Sequence, residues 1–247
     1  MKIVFLGTSD GLPRKGHHPS ATVIEVGSSY YLIDAGAPVM DLLITYGYDP
    51  NKLAGFFNTH CHGDHFDGLL YLLTLAESYY KKCSCDFFLA EQGIADAMVA
   101  LVEAERRVPF PYDRLRVKSF EEGVIYDDGN LRVTAIPTKH CRPKPSYAFL
   151  LEGDGKRVLL TGDLSQWLAK NDFPEIAFAE ETDLIVCEMA HFSSKELLPT
   201  LAKCKTKQLA FNHYQLEKES EIRRIAQCGG LSYPVFAAED GMVLQIL

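Results

Sequence analysis

Thr59-His60-Cys61-His62-Gly63-Asp64-His65 sets three imidazoles and a carboxylate on a single turn. The turn follows Leu53 to Thr59, which reads as a buried strand. It precedes Phe66 to Tyr80, where Leu69, Leu70, Leu72, Leu73 and Leu75 recur at helical spacing and predict a helix. Neutral imidazole and carboxylate are the ligands zinc takes where thiolates are not offered. Gly63 is expected to let the backbone bend tightly enough for the side chains flanking it to converge. A polar loop capping the helix at Asp64 is the bland alternative, and the density of ligand-type residues weighs against it.

One short turn cannot fill two coordination spheres, so further ligands must arrive from elsewhere. The chain offers them just past predicted strands: His140 after Leu131 to Thr138, Asp163 after Val158 to Thr161, and His213 after Gln208 to Phe211. Strand ends are where a sheet presents side chains to a site. Each of the three alone has an ordinary reading, since a lone histidine is more often packed or solvated than a ligand.

Working outward, the chain is β-rich first and then mixes strands with helices. Lys2 to Leu6, Ala21 to Val26 and Tyr30 to Asp34 read as strands separated by Gly and Ser turns. Pro38 to Tyr46 and Ile94 to Arg107 read as helices. In the second half, strands are expected at Leu131 to Thr138, Tyr147 to Glu152, Val158 to Thr161, Leu184 to Cys187, Gln208 to Phe211 and Met242 to Ile246. Helices are expected from about Leu164, from Lys195 to Lys203 and from Glu217 to Gln227. Two sheets with helices outside them, an α/β fold layered as an αββα sandwich, account for this order. With 247 residues, 47% of them hydrophobic, and no repeat or linker, residues 1–247 read as one domain.

No apolar run approaches the length of a membrane-spanning helix. Met1 to Gly7 is too short an apolar run for a signal peptide, so a cytoplasmic protein is expected. Seven scattered cysteines are then reduced thiols rather than a disulfide framework. Cys83 and Cys85 form a C-x-C pair with no second pair to complete a zinc site, and read as semi-buried thiols. The formal charge is −8 with no long basic run, which argues against a duplex nucleic-acid partner and leaves a small anionic substrate as the expectation. A homodimer is the default for assembly.

These residues resemble the metallo-β-lactamase superfamily. Its H-x-H-x-D-H motif matches at His60, His62, Asp64 and His65. Its later histidine matches His140 in Pro137-Thr138-Lys139-His140, its bridging aspartate Asp163 in Leu160-Thr161-Gly162-Asp163, and its last histidine His213 in Phe211-Asn212-His213-Tyr214. The resemblance runs from the Gly7-Thr8-Ser9-Asp10-Gly11 turn to Glu239-Asp240-Gly241-Met242. It implies two metal ions: one on His60, His62 and His140, the other on Asp64, His65 and His213, with Asp163 bridging. Zinc is expected, though His/Asp sites also accept manganese, iron or nickel. Two ions roughly 3.5–4 Å apart suit an in-line displacement and bring a bridging water towards hydroxide at neutral pH. Asp64 and Asp163 would orient that water. Asp34 is a candidate acceptor for a ligand histidine N–H, or else a turn aspartate capping local backbone.

His191, in Glu188-Met189-Ala190-His191-Phe192-Ser193, resembles the extra, non-ligand histidine of the ribonuclease Z and related phosphodiesterase branch. That histidine stabilises the scissile phosphate or protonates its leaving group. The alternative is a helix-capping or surface histidine. The branch usually carries a tRNA-gripping arm between the later metal histidine and the bridging aspartate. Here His140 and Asp163 leave room only for a hairpin, so a small phosphodiester, a cyclic or otherwise modified nucleotide, fits better than tRNA. Lys139, Arg142 and Lys144 around His140 are candidates to grip phosphate, or a solvated basic turn. Arg14, Lys15, His17 and His18 either reach the pocket mouth or form an exposed polar loop. Val108-Pro109-Phe110-Pro111-Tyr112 either walls the pocket or packs as a loop. A metallo-hydrolase of a thioester, lactone or lactam, and a mononuclear-iron oxidoreductase, are the competing activities.

Overall fold

A computed structural model describes residues 1–165, 172–228 and 230–247. Strands β1 (Lys2–Gly7), β2 (Ala21–Val26), β3 (Ser29–Ile33), β4 (Leu53–Phe57), β5 (Cys85–Leu89) and β6 (Leu115–Ser119) build the first sheet. Strands β7 (Gly123–Asp127), β8 (Arg132–Pro137), β9 (Tyr147–Gly153), β10 (Lys156–Leu160), β11 (Leu184–Glu188), β12 (Leu209–Asn212) and β13 (Val235–Ala237) build the second. Strand β14 (Val243–Gln245) returns to pair with β1, so the first sheet runs β14-β1-β2-β3-β4-β5-β6 and the second β13-β12-β11-β10-β9-β8-β7.

Successive side chains of a strand point to opposite faces, and both faces of each sheet are covered. In β3, Tyr30 and Leu32 face outward and Tyr31 and Ile33 inward. The outward set of the first sheet packs under α1 (Val39–Thr45), α3 (Leu69–Ser78) and α4 (Gln92–Arg106). The inward set (Phe5, Ile24, Tyr31, Phe57, Phe88) meets Val133, Phe149, Leu151, Val158 and Val186 of the second sheet. The outer face of the second sheet is covered by α5 (Ile176–Ala179), α6 (Ser194–Leu201) and α7 (Glu219–Cys228). The αββα sandwich expected from the sequence is therefore the fold.

Direction matters as much as layering. β3 through β6 are parallel, as are β10 through β13, while β9 is antiparallel to both β8 and β10. The C-terminal ends of β3, β4, β8, β10, β11 and β12 thus carry the turns from which the site residues come.

Strands β5, β6, β7 and β13 escaped the sequence reading. β6, β7 and β13 are short sheet edges; polar residues blur the alternation of β6, and β13 has only three residues. The helix expected over Phe66 to Tyr80 is split into α2 (Gly63–Phe66) and α3, because the Gly68 N–H turns away to donate to the Ala35 carbonyl at 2.8 Å. The helix expected from about Leu164 lies outside the described residues. No described helix is long and apolar enough to cross a membrane.

Phe57, the last residue of β4, stacks on Phe88 at 5.3 Å and meets Tyr126 and Phe149 edge-on at 5.2 and 6.3 Å, bridging the two sheets directly beneath the His60 turn. Phe57→Ala should cost about 3–5 kcal/mol, read as a lowered urea midpoint with an unchanged denaturant slope. A loss below about 1 kcal/mol would mean that the sheets are held together elsewhere.

Candidate metal centre

Asp34, one residue past β3, organises the turn after β4. Its Oδ1 accepts from the Thr59 N–H at 2.7 Å and from Asn58 Nδ2 at 3.1 Å. Its Oδ2 accepts from Thr59 Oγ1 at 2.8 Å and lies 2.8 Å from His65 Nδ1. Asp34 adopts a left-handed backbone (φ 58°), as does His213 (φ 50°) at the end of β12. Non-glycine residues held there usually mark a site whose surroundings over-determine them.

The seven expected ligands meet at one place. His62 Nδ1 lies 3.1 Å from His60 Nε2 and 3.2 Å from His140 Nε2, and Asp163 Oδ2 lies 3.8 and 3.5 Å from the same two nitrogens. On the other side of Asp163, His65 Nε2 lies 3.5 Å from Oδ1 and His213 Nε2 3.3 Å from Oδ2. Asp64 Oδ2 closes this second group at 3.4 Å from His65 and 3.9 Å from His213. Donors bound tetrahedrally to zinc at 2.0–2.1 Å stand about 3.3 Å from one another, the spacing seen in both groups.

Hydrogen bonding behind the rings decides what each presents to the front. His65 Nδ1 is committed to Asp34, and His140 Nδ1 to the Leu164 carbonyl at 3.2 Å. His60 Nδ1 lies 3.1 Å from Thr59 Oγ1, whose own hydrogen goes to Asp34. Each of these rings therefore turns a bare Nε2 lone pair inward, the tautomer a metal needs. His65 Nε2 and Asp163 Oδ1 are both buried without a hydrogen-bond partner. Lone pairs aimed at carboxylates in a dry interior repel unless a cation sits between them.

Charges respond accordingly. Burial and the neighbouring His65 push His60 well below the usual histidine range, and burial lowers His140. Burial opposes ionisation of Asp163 too, but His213 and His65 outweigh it and hold the carboxyl well below its usual value. For His65 and His213 burial is again overcome, chiefly by Asp163, and both are raised. The donor set is one that a divalent cation could complete.

His191 stands beside this group. Its Nδ1 is 2.9 Å from both oxygens of Glu188 and 3.9 Å from Asp163 Oδ2, with its ring 4.7 Å from that of His140. Glu188, at the end of β11, is buried and also accepts from the Leu164 N–H at 2.7 Å and the His191 N–H at 3.0 Å. Sequence reasoning passed over Glu188; its place three residues before His191 at a strand end was the available signal. Cys141, also unremarked, brings its Sγ to 3.8 Å from His62 Nε2.

Other expectations resolve differently. Gly63 has no unusual backbone; it opens α2, and an added Cβ there would stand 2.6 Å from Asp67 Oδ2, so the glycine provides room rather than a bend. The bend is made by His62, extended at φ −79° and ψ 145° before the helix begins. His17 and His18 are not at the donor set. His17 spans Thr8 Oγ1 and the Tyr214 carbonyl at 3.1 and 3.2 Å, and His18 pairs with Asp240 at 2.7 Å. Arg14 is tied to Asp10 at 2.8 Å, and Lys144 to Glu91 at 3.1 Å. Of Val108 to Tyr112, Phe110 packs into the core under the outer helices while Val108 and Tyr112 are exposed. Cys83 and Cys85 are buried thiols pushed up by desolvation, Cys83 to about 11.

Residues 1–231 match the family described as "Anti-Pycsar protein Apyc1". The chain belongs to this Apyc1 family. It is also similar to Ribonuclease Z of Anoxybacillus flavithermus, with 32% identity over 169 residues, 66% of this chain and 52% of that protein. The chain thus spans about half the length of the curated relatives it matches. Among solved structures, the short form of human tRNase Z superposes with a TM-score of 0.77 at 20% identity, covering all of both chains. The metallo-β-lactamase fold protein YhfI from Bacillus subtilis superposes with 0.76 at 19% identity over 99% of each chain. This Apyc1-family chain has the metallo-β-lactamase fold.

For this Apyc1-family member, Asp34→Asn keeps the shape of the hub but removes the acceptor that holds His65. It should weaken zinc binding roughly 10–100-fold, measured by competition with a chromophoric chelator. Unchanged affinity would reduce Asp34 to a backbone cap.

Proposed function

We propose that this protein is a dinuclear-zinc phosphodiesterase that hydrolyses a small phosphodiester or nucleotide. His60, His62 and His140 would hold one ion and Asp64, His65 and His213 the other, with Asp163 between them. When bound, such ions act as Lewis acids on phosphoryl oxygen and bring the pKa of water towards neutrality. Asp64, whose carboxylate is the more exposed of the two at the donor set, accepts a proton from the attacking water. Asp163 holds its orientation.

The observation that favours a phosphodiester over a thioester is His191. A phosphodiester sheds an alkoxide, a strongly basic oxygen that needs a proton as the bond breaks. A thioester sheds a thiolate that leaves without one. His191 stands beside the donor set with a buried carboxylate behind it, the arrangement of a general acid. Burial opposes its protonation, but the Glu188 carboxylate outweighs burial and raises it above the usual histidine value. A small substrate is favoured because β9 and β10 form a plain hairpin across Asp154-Gly155, with no arm between His140 and Asp163, and because the net charge is −8.

Zinc-loaded protein should hydrolyse bis(p-nitrophenyl) phosphate and 3′,5′-cyclic nucleotides, and a chelator should abolish both. His191→Ala should lower kcat on a cyclic nucleotide about 10²–10⁴-fold, and much less on the nitrophenyl ester, whose leaving group needs little protonation. Absence of turnover in a verified two-metal sample sinks the reading and sends the search to thioesters, lactones and lactams.

The raised pKa gives the pH dependence a sign. His191 works protonated, so kcat should fall as pH rises through that elevated value. In Glu188→Gln the main opposition to burial is lost, leaving only Asp163 on that side, and the alkaline limb should move to lower pH. A kcat profile whose alkaline limb stays in place would exclude His191 as the acid.

A further inference from the structure

The loop that carries His191 is short, irregular and placed between β11 and α6, with no strand or helix to hold it. Its brace comes from another part of the chain. Lys218, in the 3-10 turn Leu216–Lys218 that follows His213 and Tyr214, directs its ammonium at three carbonyls of this one loop. Nζ lies 2.8 Å from Met189 O, 2.9 Å from Ala190 O and 2.8 Å from Phe192 O. An ammonium has three N–H groups and no acceptor, so the three carbonyls account for its whole hydrogen-bonding capacity. Gln215 Nε2 adds a fourth bond, to Ala190 O at 3.0 Å, and the Met189 N–H reaches back to the His213 carbonyl at 3.1 Å.

The geometry has a directional consequence. With the carbonyls of 189, 190 and 192 gathered round one cation, the His191 N–H points the other way, to Glu188 Oε2 at 3.0 Å. The imidazole is then held over the same carboxylate through Nδ1. Lys218 is half-buried. Burial lowers its pKa, and Glu188, Glu221, Asp10 and Glu196 work against that lowering. A cation that stays in such a place has its hydration replaced by fixed carbonyl dipoles.

We propose that Lys218 is the positioning residue for His191, bracing its loop against the segment that follows His213 so that the imidazole meets the leaving group in one orientation. Lys218 does not touch substrate; it acts through the loop. The proposal rests on the reading of His191 as the general acid of a phosphodiesterase.

The test is a cycle of Lys218→Met and His191→Ala in the zinc-loaded protein, with kcat and KM measured on a 3′,5′-cyclic nucleotide. Methionine keeps a long stem of similar length and removes all three donors. Lys218→Met should lower kcat on the order of tenfold, as a displaced catalytic group does, with KM changed less than about twofold. It should cost nothing further in the His191→Ala background, and Lys218→Arg should restore part of the loss. An equal loss in both backgrounds, or a loss carried by KM, would overturn the proposal. If Lys218→Met does not fold, Lys218→Gln, which leaves one donor group at the same place, takes its position in the cycle. Should the wild-type protein turn over no phosphodiester, the function reading falls by itself, and amide hydrogen exchange decides the bracing. Faster exchange at Met189 and His191 in the variant supports it, and unchanged exchange overturns it.

Discussion

A buried carboxylate among imidazoles governs this molecule. The Asp163 side chain is only 4% exposed, and His60, His65, His140 and His213 each bring a ring nitrogen within 4 Å of it. An ionised carboxylate in a dry interior is costly unless opposite charge meets it. Asp163 in turn raises His65 and His213 above the usual histidine value. Divalent cations held at the donor set would supply opposite charge without forcing lone pairs against carboxylate oxygens. The unpartnered His65 Nε2 and Asp163 Oδ1 are the local signs that protons satisfy the arrangement incompletely.

The sandwich exists, in chemical terms, to bring both sheets to that carboxylate. The first sheet delivers Asp34 and the His60 turn from the ends of β3 and β4. The second delivers His140, Asp163, Glu188 and His213 from the ends of β8, β10, β11 and β12. Phe57 and Phe149 meet between the sheets, so apolar packing keeps the two halves of the donor set in register. Close approach has its own demands. At Gly36 an added Cβ would stand 2.3 Å from the Asp64 carbonyl, so the β3 turn and the His60 turn touch backbone to backbone. At Gly11 it would stand 2.8 Å from Asp64 Oδ2, which leaves no side chain between the first loop and that carboxylate.

Much of this was legible in the sequence because ligands are residue types with few other uses at such density. His60, His62, Asp64 and His65 lie on one turn. His140, Asp163 and His213 each follow an apolar run long enough to read as a strand. Asp34 was visible as a candidate partner for a ligand ring but not as a hub, since its four donors come from a turn 25 or so residues downstream. Gly63 was expected to make the bend, whereas its φ is ordinary and an added Cβ there would crowd only the movable Asp67 carboxylate. His17 and His18 show the converse, histidines beside the first loop whose partners, Thr8, Tyr214 and Asp240, belong to a clasp between the chain's two ends. Edge strands such as β7 and β13 were missed because five and three residues are too few to show a period.

Glu188 and Lys218 mark the deeper limit of sequence reading, and they do so in opposite ways. Glu188 is close to His191 in sequence, and only its burial distinguishes it from any solvated glutamate. Lys218 is distant in sequence, and its role lies in main-chain carbonyls, which carry no residue identity at all. A ligand set can be inferred from side-chain chemistry because the metal reads side chains. The orientation of a proton donor depends on how its backbone is held, and here that backbone is an irregular loop whose carbonyls need donors from outside it. The fold meets the need by running the segment after β12 beside the loop after β11. The segment that presents His213 is therefore the same one whose Lys218 reaches the carbonyls of the His191 loop.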